Sequence, residues 1–273
     1  MSDKLFVLGA GSMAEAFLRG VIIKKAVDPT NVYVLNRSNS ERLQRLRAEY
    51  GIQISQNISD ARDARVIVLA VKPMDAKSAL EPLIPYLHGQ VLISFAAGIP
   101  IEWLESETRN RAAVVRTMPN LPVAVLNGAT ALAASKVVSA SELAYVRFLL
   151  EQVGTVVDLD ESLMDAATAF SGSGPGFVCY FLEAMERAAV QLGFDELTAR
   201  ELLLQTVVGT AKTLQDWGLS PHELRRRVTS PNGTTHAGVQ IFEQGRMNDI
   251  VCEGLKKAAN RSTEMGKAYS LEE

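Results

Sequence analysis

The sequence predicts a doubly wound α/β domain followed by an all-helical domain. Short apolar runs of strand length alternate with helical spacing through the first half, which is typical of a parallel sheet covered on both faces. From about residue 160 onward the pattern is helical almost to the end. The length of 273 residues is enough for two medium-sized domains, and we expect them to occupy residues 1–160 and 161–273.

Seven apolar runs are the predicted strands of the first domain. They are Leu5–Leu8, Val32–Leu35, Val66–Val71, Val91–Ala97, Val114–Met118, Ala129–Ala133 and Gly154–Asp158. Helical spacing over Ser12–Lys25 and Glu41–Tyr50 separates the first three of these runs. Because parallel strands are joined by right-handed crossovers, this alternation predicts a doubly wound sheet.

Five helices are predicted in the second half. They cover Phe177–Leu192, Leu197–Trp217, Pro221–Val228, Thr235–Phe242 and Asn248–Tyr269. The first is apolar nearly all round, and a small helical domain has little interior in which to bury it. Burial against a second subunit would solve this problem, so we expect a homodimer. The alternative is a central helix that is surrounded by other helices of the same chain.

The charge balance and the cysteine content exclude several classes of protein. Lys and Arg number 28 against 31 Asp and Glu, a net charge of −3, whereas nucleic-acid binders are usually basic. Cys179 and Cys252 are too few for a disulfide scaffold, and we expect both to be buried thiols in a reducing compartment. The sequence shows neither a targeting signal nor a membrane span. We therefore expect a cytoplasmic protein that binds neither nucleic acid nor a membrane.

A glycine-rich turn follows the first predicted strand and opens the first predicted helix. The pattern G-x-G-x-x-A, the dinucleotide-binding motif of Rossmann-type domains, is formed by Gly9, Ala10, Gly11, Ser12, Met13 and Ala14. Gly9 permits the tight turn, Gly11 lets a pyrophosphate approach the backbone, and the helix N-terminus stabilises the phosphates. A tight turn without a cofactor is the alternative, but the strand–turn–helix context favours a dinucleotide site.

The residues after the second predicted strand indicate which dinucleotide binds. Enzymes that use NAD usually have Asp or Glu here to bind the ribose 2′-hydroxyl, and this chain has neither between Asp28 and Glu41. Arg37, with Asn36 and Ser38 beside it, can instead bind a 2′-phosphate through charge-assisted hydrogen bonds. A solvated arginine is the alternative. We favour NADPH as the cofactor, with NADH as the second option.

Three later strands end in small, proline or amide residues. These ends contain Ala70, Val71, Lys72 and Pro73, then Ala96, Ala97 and Gly98, and then the segment 116–120, which finishes at Asn120. Ligands of open α/β sheets bind at the carboxyl ends of strands, where small residues permit close approach. The three ends therefore predict one crevice, although a surface lysine at a strand end explains Lys72 equally well.

The segment from Val228 to Thr235 is the most unusual one in the sequence. Its proline, asparagine and glycine predict a loop, and its two threonines open a helix. Backbone N–H groups at a helix start suit an anion such as a carboxylate, and Thr235 adds a hydroxyl that can donate and accept. A helix cap is the alternative role of such a threonine.

The histidines do not indicate a metal site. His88, His222 and His236 have no mutual ligand spacing. His236 directly follows the unusual loop, and we expect it to be solvated.

Together these motifs resemble the pyrroline-5-carboxylate reductase family, and the resemblance covers essentially the whole chain. The family's order and spacing are found in GAGSMA at 9–14, Asn57, AVKP at 70–73, AAG at 96–98, RTMPN at 116–120, SGSGP at 171–175 and SPNGTT at 230–235. The resemblance implies reduction of Δ1-pyrroline-5-carboxylate to L-proline with NADPH or NADH. It also implies a Rossmann-type domain, an all-α dimerisation domain that interlocks with a partner subunit, and dimers that can assemble into rings such as a decamer.

The resemblance further implies roles for individual residues. Ser230, Gly233 and Thr234 would hold the substrate carboxylate, and Thr235 would hydrogen-bond the ring nitrogen. Lys72, Pro73, Ala97, Gly98 and Asn120 would border the nicotinamide, with Asn120 also at the substrate, and Asn57 would meet the adenosine ribose. The chain departs from the usual family pattern at Leu121, Gly176, Gly218 and Asn232.

Two other functions fit the sequence. A related dehydrogenase of 3-hydroxy acids or of other cyclic imines shares this domain order and would usually place a lysine in the helical domain as proton donor. The lysines available here, which lie in no supporting motif, are Lys212, Lys256, Lys257 and Lys267. The other possibility is a non-enzymatic NADP-sensing paralogue that has kept the fold.

Overall fold

The computed structural model describes residues 4–269, which form two compact units. The first contains the described residues up to Pro175 together with those from Lys256 onward, and the second is Gly176–Leu255. This division reflects compactness alone, and the predicted domain boundary at residue 160 stays a prediction.

One eight-stranded sheet forms the centre of the first unit. Its strands are β1 (Leu5–Leu8), β2 (Val32–Leu35), β3 (Gln53–Ile54), β4 (Val66–Leu69), β5 (Val91–Ser94), β6 (Ala113–Pro119), β7 (Gly128–Ala134) and β8 (Gly154–Asp158). They lie in the order β3-β2-β1-β4-β5-β6-β7-β8, and β1 pairs in parallel with both β2 and β4. Because the strand order reverses at β1, the sheet is doubly wound, as the sequence predicts.

The strand β7 runs antiparallel to β6, which differs from the parallel arrangement that the sequence predicts. Residues 120–127 join the two strands and contain only a short 3-10 turn, Leu121–Val125. A parallel connection needs a crossover of about a dozen residues or more, so this short link makes the chain turn back.

Helices cover both faces of the sheet. In the first unit they are α1 (Ser12–Ile23), α2 (Ser40–Tyr50), α3 (Ala76–Leu80), α4 (Ile101–Glu107), α5 (Ala140–Glu151) and α6 (Met164–Ala167). Along β1, Val7 belongs to the core formed with α1, α2 and α5, whereas Phe6 belongs to the core formed with α3 and α4. Both faces are therefore buried, which explains why the strands appear in the sequence as continuous apolar runs.

Two strands are shorter than predicted. The strand β4 ends at Leu69 and β5 ends at Ser94, although the apolar runs continue to residues 71 and 97. Ala70 still donates its N–H to Leu8 O at 2.8 Å, after which the chain leaves the sheet. The remaining small residues line the turns beyond the strands, at the edge where a ligand is expected.

The chain after the sheet is helical, as predicted. The helices are α7 (Gly174–Gln191), α8 (Glu196–Trp217), α9 (Pro221–Arg227), α10 (Thr234–Gln244) and α11 (Met247–Gly266). Each corresponds to one predicted helix, with ends that differ by a few residues.

The second unit buries almost none of its apolar surface in the single chain. Among its described residues, Ala199 and Leu224 are the buried hydrophobic ones, and α7 has none. Exposed large apolar side chains include Phe177, Tyr180, Phe181, Leu192, Leu197, Val208, Trp217, Ile241, Phe242 and Ile250. The helices of the same chain therefore do not surround α7, and another surface is needed to cover it.

Both cysteines lie on helices whose apolar side chains are exposed in the single chain. Cys179 on α7 and Cys252 on α11 are exposed, so the prediction that each is a buried thiol is wrong for the single chain. Their apolar sequence context reflects helix faces that this chain alone does not cover. No helix within residues 4–269 is long and apolar enough to cross a membrane.

Candidate active site

The glycine turn after β1 has the geometry of a dinucleotide-binding loop. Gly9 has a φ of +102° and donates its N–H to Leu35 O at 2.8 Å, which ties the turn to the end of β2. A Cβ at this position would lie 2.4 Å from the carbonyl oxygen of Ala70. Glycine is therefore required here both by its backbone conformation and by the close approach of β4.

The helix α1 begins directly after this turn. Gly11 is its N-cap, and a Cβ there would meet no described atom closer than Ala70 O at 4.0 Å. Ala10 is buried below the turn, while Ser12 is exposed and Met13 half-buried at the start of the helix. The first N–H groups of α1 thus adjoin open space in which a phosphate can approach them.

A cavity of about 350 Å³ lies beside the turn, at the carboxyl ends of the strands. Its lining residues are Leu8, Gly9, Leu35, Asn36, Arg37, Ser38, Ile58, Val71, Asp75, Ser78, Ala79 and Pro82. It therefore unites the glycine turn, the predicted 2′-phosphate residues and the strand end at Val71. Sequence reasoning misses Ile58 and the lining residues between 75 and 82. Ile58 directly follows Asn57 and the others follow the AVKP motif, and these positions are the signals that could have found them.

Arg37 is the exposed cation of this cavity. It makes no ion pair or hydrogen bond with any residue between 4 and 269. Two of the three arginines of the following helix are engaged elsewhere, since Arg42 and Arg45 both bind the Glu15 carboxylate at 2.7 Å. The guanidinium of Arg37 is therefore available to a phosphate.

Asn57 is an exposed residue at the start of the 3-10 helix Ile58–Asp63. The Ser55 hydroxyl donates to Asp60 Oδ2 at 2.8 Å and also lies 2.9 Å from Asn57 O. These interactions hold the backbone of Asn57 without using its side chain, beside the cavity residue Ile58.

Other predicted residues lie on the turns after β4 and β5. Lys72 is exposed, and Pro73 begins a 3-10 helix directly after it. Ala97 is half-buried, and Gly98 is buried with a φ of +78°. A Cβ on Gly98 would lie 3.5 Å from the backbone nitrogen of Gly266, so the end of α11 passes close to this turn.

Asn120 fastens the turn after β6 through its side chain. Its Oδ1 accepts the Ala129 N–H at 2.8 Å, and its Nδ2 donates to Ser171 O at 3.2 Å. Ser171 belongs to a π-helical segment, Thr168–Gly172, and such segments are frequent at functional sites. The sequence does not reveal these two hydrogen bonds of Asn120. A contact of Asn120 with nicotinamide or substrate stays a prediction.

In the second unit, the unusual loop is anchored to α9. This helix begins with a capping box in which Ser220 and Glu223 bind each other. Hydrogen bonds from the side chain and backbone of Ser220 lower the pKa of Glu223 below its ordinary value. At the other end of α9, the Thr229 hydroxyl donates to Arg225 O at 2.6 Å. The first residues of the loop are thus fastened to a well-capped helix.

The middle of the loop is a tight turn. Gly233 donates its N–H to Ser230 O at 3.0 Å, with Pro231 and Asn232 between them. Asn232 has a φ of +58°, the left-handed conformation that the third position of a type II turn requires. A Cβ on Gly233 would lie 2.4 Å from Ser230 Oγ, so a larger residue here would force the Ser230 side chain to move.

The threonines of the loop are exposed at the start of α10. This helix begins at Thr234, one residue before the predicted start, and its N-cap is Gly233, which has no side chain. Thr235 is therefore not the cap of the helix. Within residues 4–269 its hydroxyl has no hydrogen-bond partner, and Ser230 is exposed beside it in the same loop. The group is thus free to bind a ligand.

His236 is not simply solvated, which corrects the expectation from the sequence. It is half-buried, and its Nδ1 accepts the backbone N–H of Asn232 at 3.2 Å.

The doubly wound sheet and the cavity beside its glycine turn define a dinucleotide-binding protein of the Rossmann type. Residues 4–98 match a family model described as "NADP oxidoreductase coenzyme F420-dependent", and residues 161–265 match one described as "Pyrroline-5-carboxylate reductase dimerisation". The chain belongs to the pyrroline-5-carboxylate reductase family.

Individual relatives agree with this assignment. Pyrroline-5-carboxylate reductase 2 of Bacillus subtilis is 35% identical over 98% of this chain and 96% of that protein. A pyrroline-5-carboxylate reductase structure from Coxiella burnetii has a TM-score of 0.91 at 32% identity and covers 100% of both chains. A Plasmodium falciparum pyrroline carboxylate reductase structure with NADP bound has a TM-score of 0.87 at 28% identity, over 97% of this chain and 99% of that one.

These findings confirm the predicted family, the fold class and an NADP-binding oxidoreductase. The dimerisation domain indicates a homo-oligomer.

Proposed function

We propose that this chain reduces Δ1-pyrroline-5-carboxylate to L-proline with NADPH as the hydride donor, and that the residues described above form its two binding sites. The observation that carries the proposal is the match of residues 161–265 to the dimerisation model of this reductase family, together with full-length relatives of the same name.

The cofactor half of the proposal rests on the first unit. Gly9 and Gly11 leave room for the pyrophosphate at the N-terminus of α1, and Arg37 is available for the 2′-phosphate. Asn36 lines the cavity and Asn57 directly precedes the cavity residue Ile58, so both are proposed to bind the adenosine part. A bound NADPH supplies a hydride, and the chain supplies its position and orientation.

The turns after β4, β5 and β6 are proposed to border the nicotinamide. The residues proposed for this border are Ala70, Val71, Lys72, Pro73, Ala97, Gly98 and Asn120. Among them the two alanines and Gly98 are small and Pro73 is rigid, which permits close approach. The side chain of Asn120 already holds two backbone groups, so its contribution is to fix the shape of this border.

The substrate half of the proposal rests on the loop before α10. The hydroxyls of Ser230 and Thr234, and the first N–H groups of α10 directly after its cap Gly233, are proposed to bind the carboxylate. The Thr235 hydroxyl is proposed to hydrogen-bond the ring nitrogen. Transfer of hydride to the carbon of the protonated C=N bond gives the amine directly, so the chain needs to orient the ring and exclude water rather than supply a nucleophile.

The assembly and the location are also part of the proposal. The exposed apolar helices support a dimer built from the segment 161–273, and such dimers can form a larger ring such as a decamer. Cys179 and Cys252 are unpaired, which is typical of a reducing compartment and supports a cytoplasmic enzyme.

The decisive experiment is an assay of NADPH oxidation by the purified protein with Δ1-pyrroline-5-carboxylate, with proline identified as the product. We expect turnover that depends on the imine. Oxidation with a different imine, or cofactor reduction by a 3-hydroxy acid, without activity on this substrate would support a related dehydrogenase. NADPH binding without turnover of any of these substrates would support a sensing protein.

A further inference from the structure

His236, which directly follows the proposed substrate loop, forms a side-chain hydrogen bond with the backbone of that loop. The ring of His236 accepts the backbone N–H of Asn232 through Nδ1 at 3.2 Å. An accepting Nδ1 carries a lone pair, so the ring proton of this tautomer is on Nε2. The proposed mechanism makes no use of this ring.

Asn232 is the residue of the loop whose backbone conformation is costly. Its φ of +58° is left-handed, a region that residues other than glycine seldom occupy, although asparagine tolerates it better than most. A loop with this residue would relax toward other conformations unless a further interaction held it. Two hydrogen bonds hold it, namely the turn bond from Gly233 N–H to Ser230 O and the bond from Asn232 N–H to His236.

The position of His236 makes the bond an effective anchor. It is the third residue of α10, after Thr234 and Thr235, and is thus part of a regular helix. Its ring reaches back across Gly233 to Asn232 and thereby connects the turn with the helix start. Gly233 and Thr234, two of the three residues proposed to bind the carboxylate, lie between these two attachment points, and Ser230 precedes them in the same turn.

We propose that His236 is a positioning residue that holds the substrate loop in its anion-binding conformation by accepting the Asn232 N–H. This inference rests on the proposed role of the loop. A site that is competent for only part of the time binds its ligand with an affinity reduced by that fraction. Loss of the bond should therefore raise the KM for the imine and leave the KM for NADPH unchanged, because the cofactor cavity belongs to the other unit.

Two variants of His236 test whether its hydrogen-bond acceptor or its aromatic ring holds the loop. His236→Phe keeps a ring and removes the acceptor, whereas His236→Asn removes the ring and places Oδ1 close to the position of Nδ1. Phe, Asn and His have similar helix propensities, so α10 itself is not selectively weakened. Should Phe not be accommodated, His236→Leu removes the acceptor with a smaller side chain.

We expect the Phe variant to raise the KM for Δ1-pyrroline-5-carboxylate about two- to tenfold, the effect of one lost neutral hydrogen bond. The Asn variant should stay within about twofold of the parent, and kcat should change little in both. Parent-like KM values for the Phe variant, or equal losses for Phe and Asn, would overturn the proposal.

Thr235→Val distinguishes a failure of this inference from a failure of the proposed function. If Thr235→Val loses activity on the imine while His236→Phe does not, the inference alone is wrong. If Thr235→Val and His236→Phe both retain parent kinetics, the loop is not the substrate site and both ideas fail.

Discussion

Arg37 and Thr235 lie in different parts of the chain, but the surroundings of their side chains are alike. Each is exposed, and within residues 4–269 neither side chain has a hydrogen-bond or ion-pair partner. Arg37 lines the cavity that also contains Gly9 of the glycine turn, and Thr235 lies in the first turn of α10. Because neither side chain supports the fold, replacing it changes the ligand contact with little effect on folding.

For Arg37 we predict a change in cofactor preference. Arg37→Ala should raise the KM for NADPH roughly tenfold to a hundredfold, since one charge-assisted hydrogen bond contributes about 1.5–3 kcal/mol. The KM for NADH should change little, because NADH lacks the 2′-phosphate that the guanidinium would bind. Steady-state kinetics with both cofactors measure the effect.

Arg45 offers a matched control for this charge. Arg45→Ala removes an exposed guanidinium from the neighbouring helix, where it binds Glu15 rather than the cavity. We expect it to leave the preference for NADPH over NADH unchanged. Equal losses with NADPH and NADH in Arg37→Ala would rule out a 2′-phosphate contact.

For Thr235 we predict a loss of turnover without a loss of stability. Thr235→Val keeps the shape and removes the hydroxyl, so kcat/KM for the imine should fall about tenfold to a thousandfold. Melting temperature and NADPH binding should stay close to the parent, because the cap position of α10 is Gly233. Thr235→Ser keeps the hydroxyl and serves as the control, with a milder effect.

The same two variants test the capping alternative. A threonine that acts as a cap would lower stability by about 1 kcal/mol on replacement by Val, with unchanged turnover per folded enzyme. A variant that melts early and turns over normally would therefore show that the assigned role of Thr235 is wrong.

At the scale of secondary-structure elements, a strand can be predicted from the sequence where both of its faces are buried. Strands such as β1 and β4 have both faces covered, so every residue is apolar and the run is visible in the sequence. The direction of β7 depends on a different property, the shortness of the link after β6, which hydrophobicity does not record. The two-residue strand β3 is too short to produce any pattern.

In the candidate site, too, features contained in a few consecutive residues can be predicted, whereas contacts between distant residues cannot. The glycine turn and Arg37 are predictable because their chemistry is contained in a few consecutive residues. The hydrogen bond from the Asn120 side chain to Ser171 O joins residues far apart in the chain, so no local motif reveals it. The bond of His236 to Asn232 spans four residues, but it depends on a left-handed backbone that the sequence does not specify.

The start of α8 provides a prediction about pH. Asp195 caps this 22-residue helix by accepting the N–H groups of Leu197 and Thr198 at 3.1 and 3.0 Å. Hydrogen bonding by the side chain and backbone of Thr198 lowers the pKa of Asp195 below 3.8. The charged cap therefore stabilises the fold fully above the ordinary pKa, and this contribution is lost as the pH falls through the lowered value.

The variant Asp195→Asn keeps an accepting oxygen that does not titrate. We expect the parent to melt at a higher temperature from neutral pH down to about pH 5, and the difference to shrink as the pH falls below the ordinary pKa of an aspartate and through the lowered value. Thermal melting followed by circular dichroism at several pH values measures it. A difference that stays constant over this range would show that the ionised cap contributes nothing.

At the scale of the whole molecule, the two units differ in how they are stabilised. The first has a core on each face of its sheet, whereas the second buries Ala199 and Leu224 and exposes apolar side chains along its long helices. A unit with so little interior gains its stability from apolar surface that an identical chain covers. Folding of the helical unit and assembly of the oligomer should therefore be one process.

This coupling can be tested with a charge on α7. Phe181 is 38% exposed in the single chain, and Phe181→Asp would place a carboxylate in the proposed subunit contact at a cost of several kcal/mol, which weakens association by more than about a thousandfold. We expect insoluble or monomeric, inactive protein, measured by light scattering and the NADPH assay. Val137→Asp introduces the same charge at a 67% exposed apolar residue of the first unit, and this control should remain assembled and active. A soluble, fully active monomer of Phe181→Asp would show that catalysis and folding of the helical unit do not need a partner.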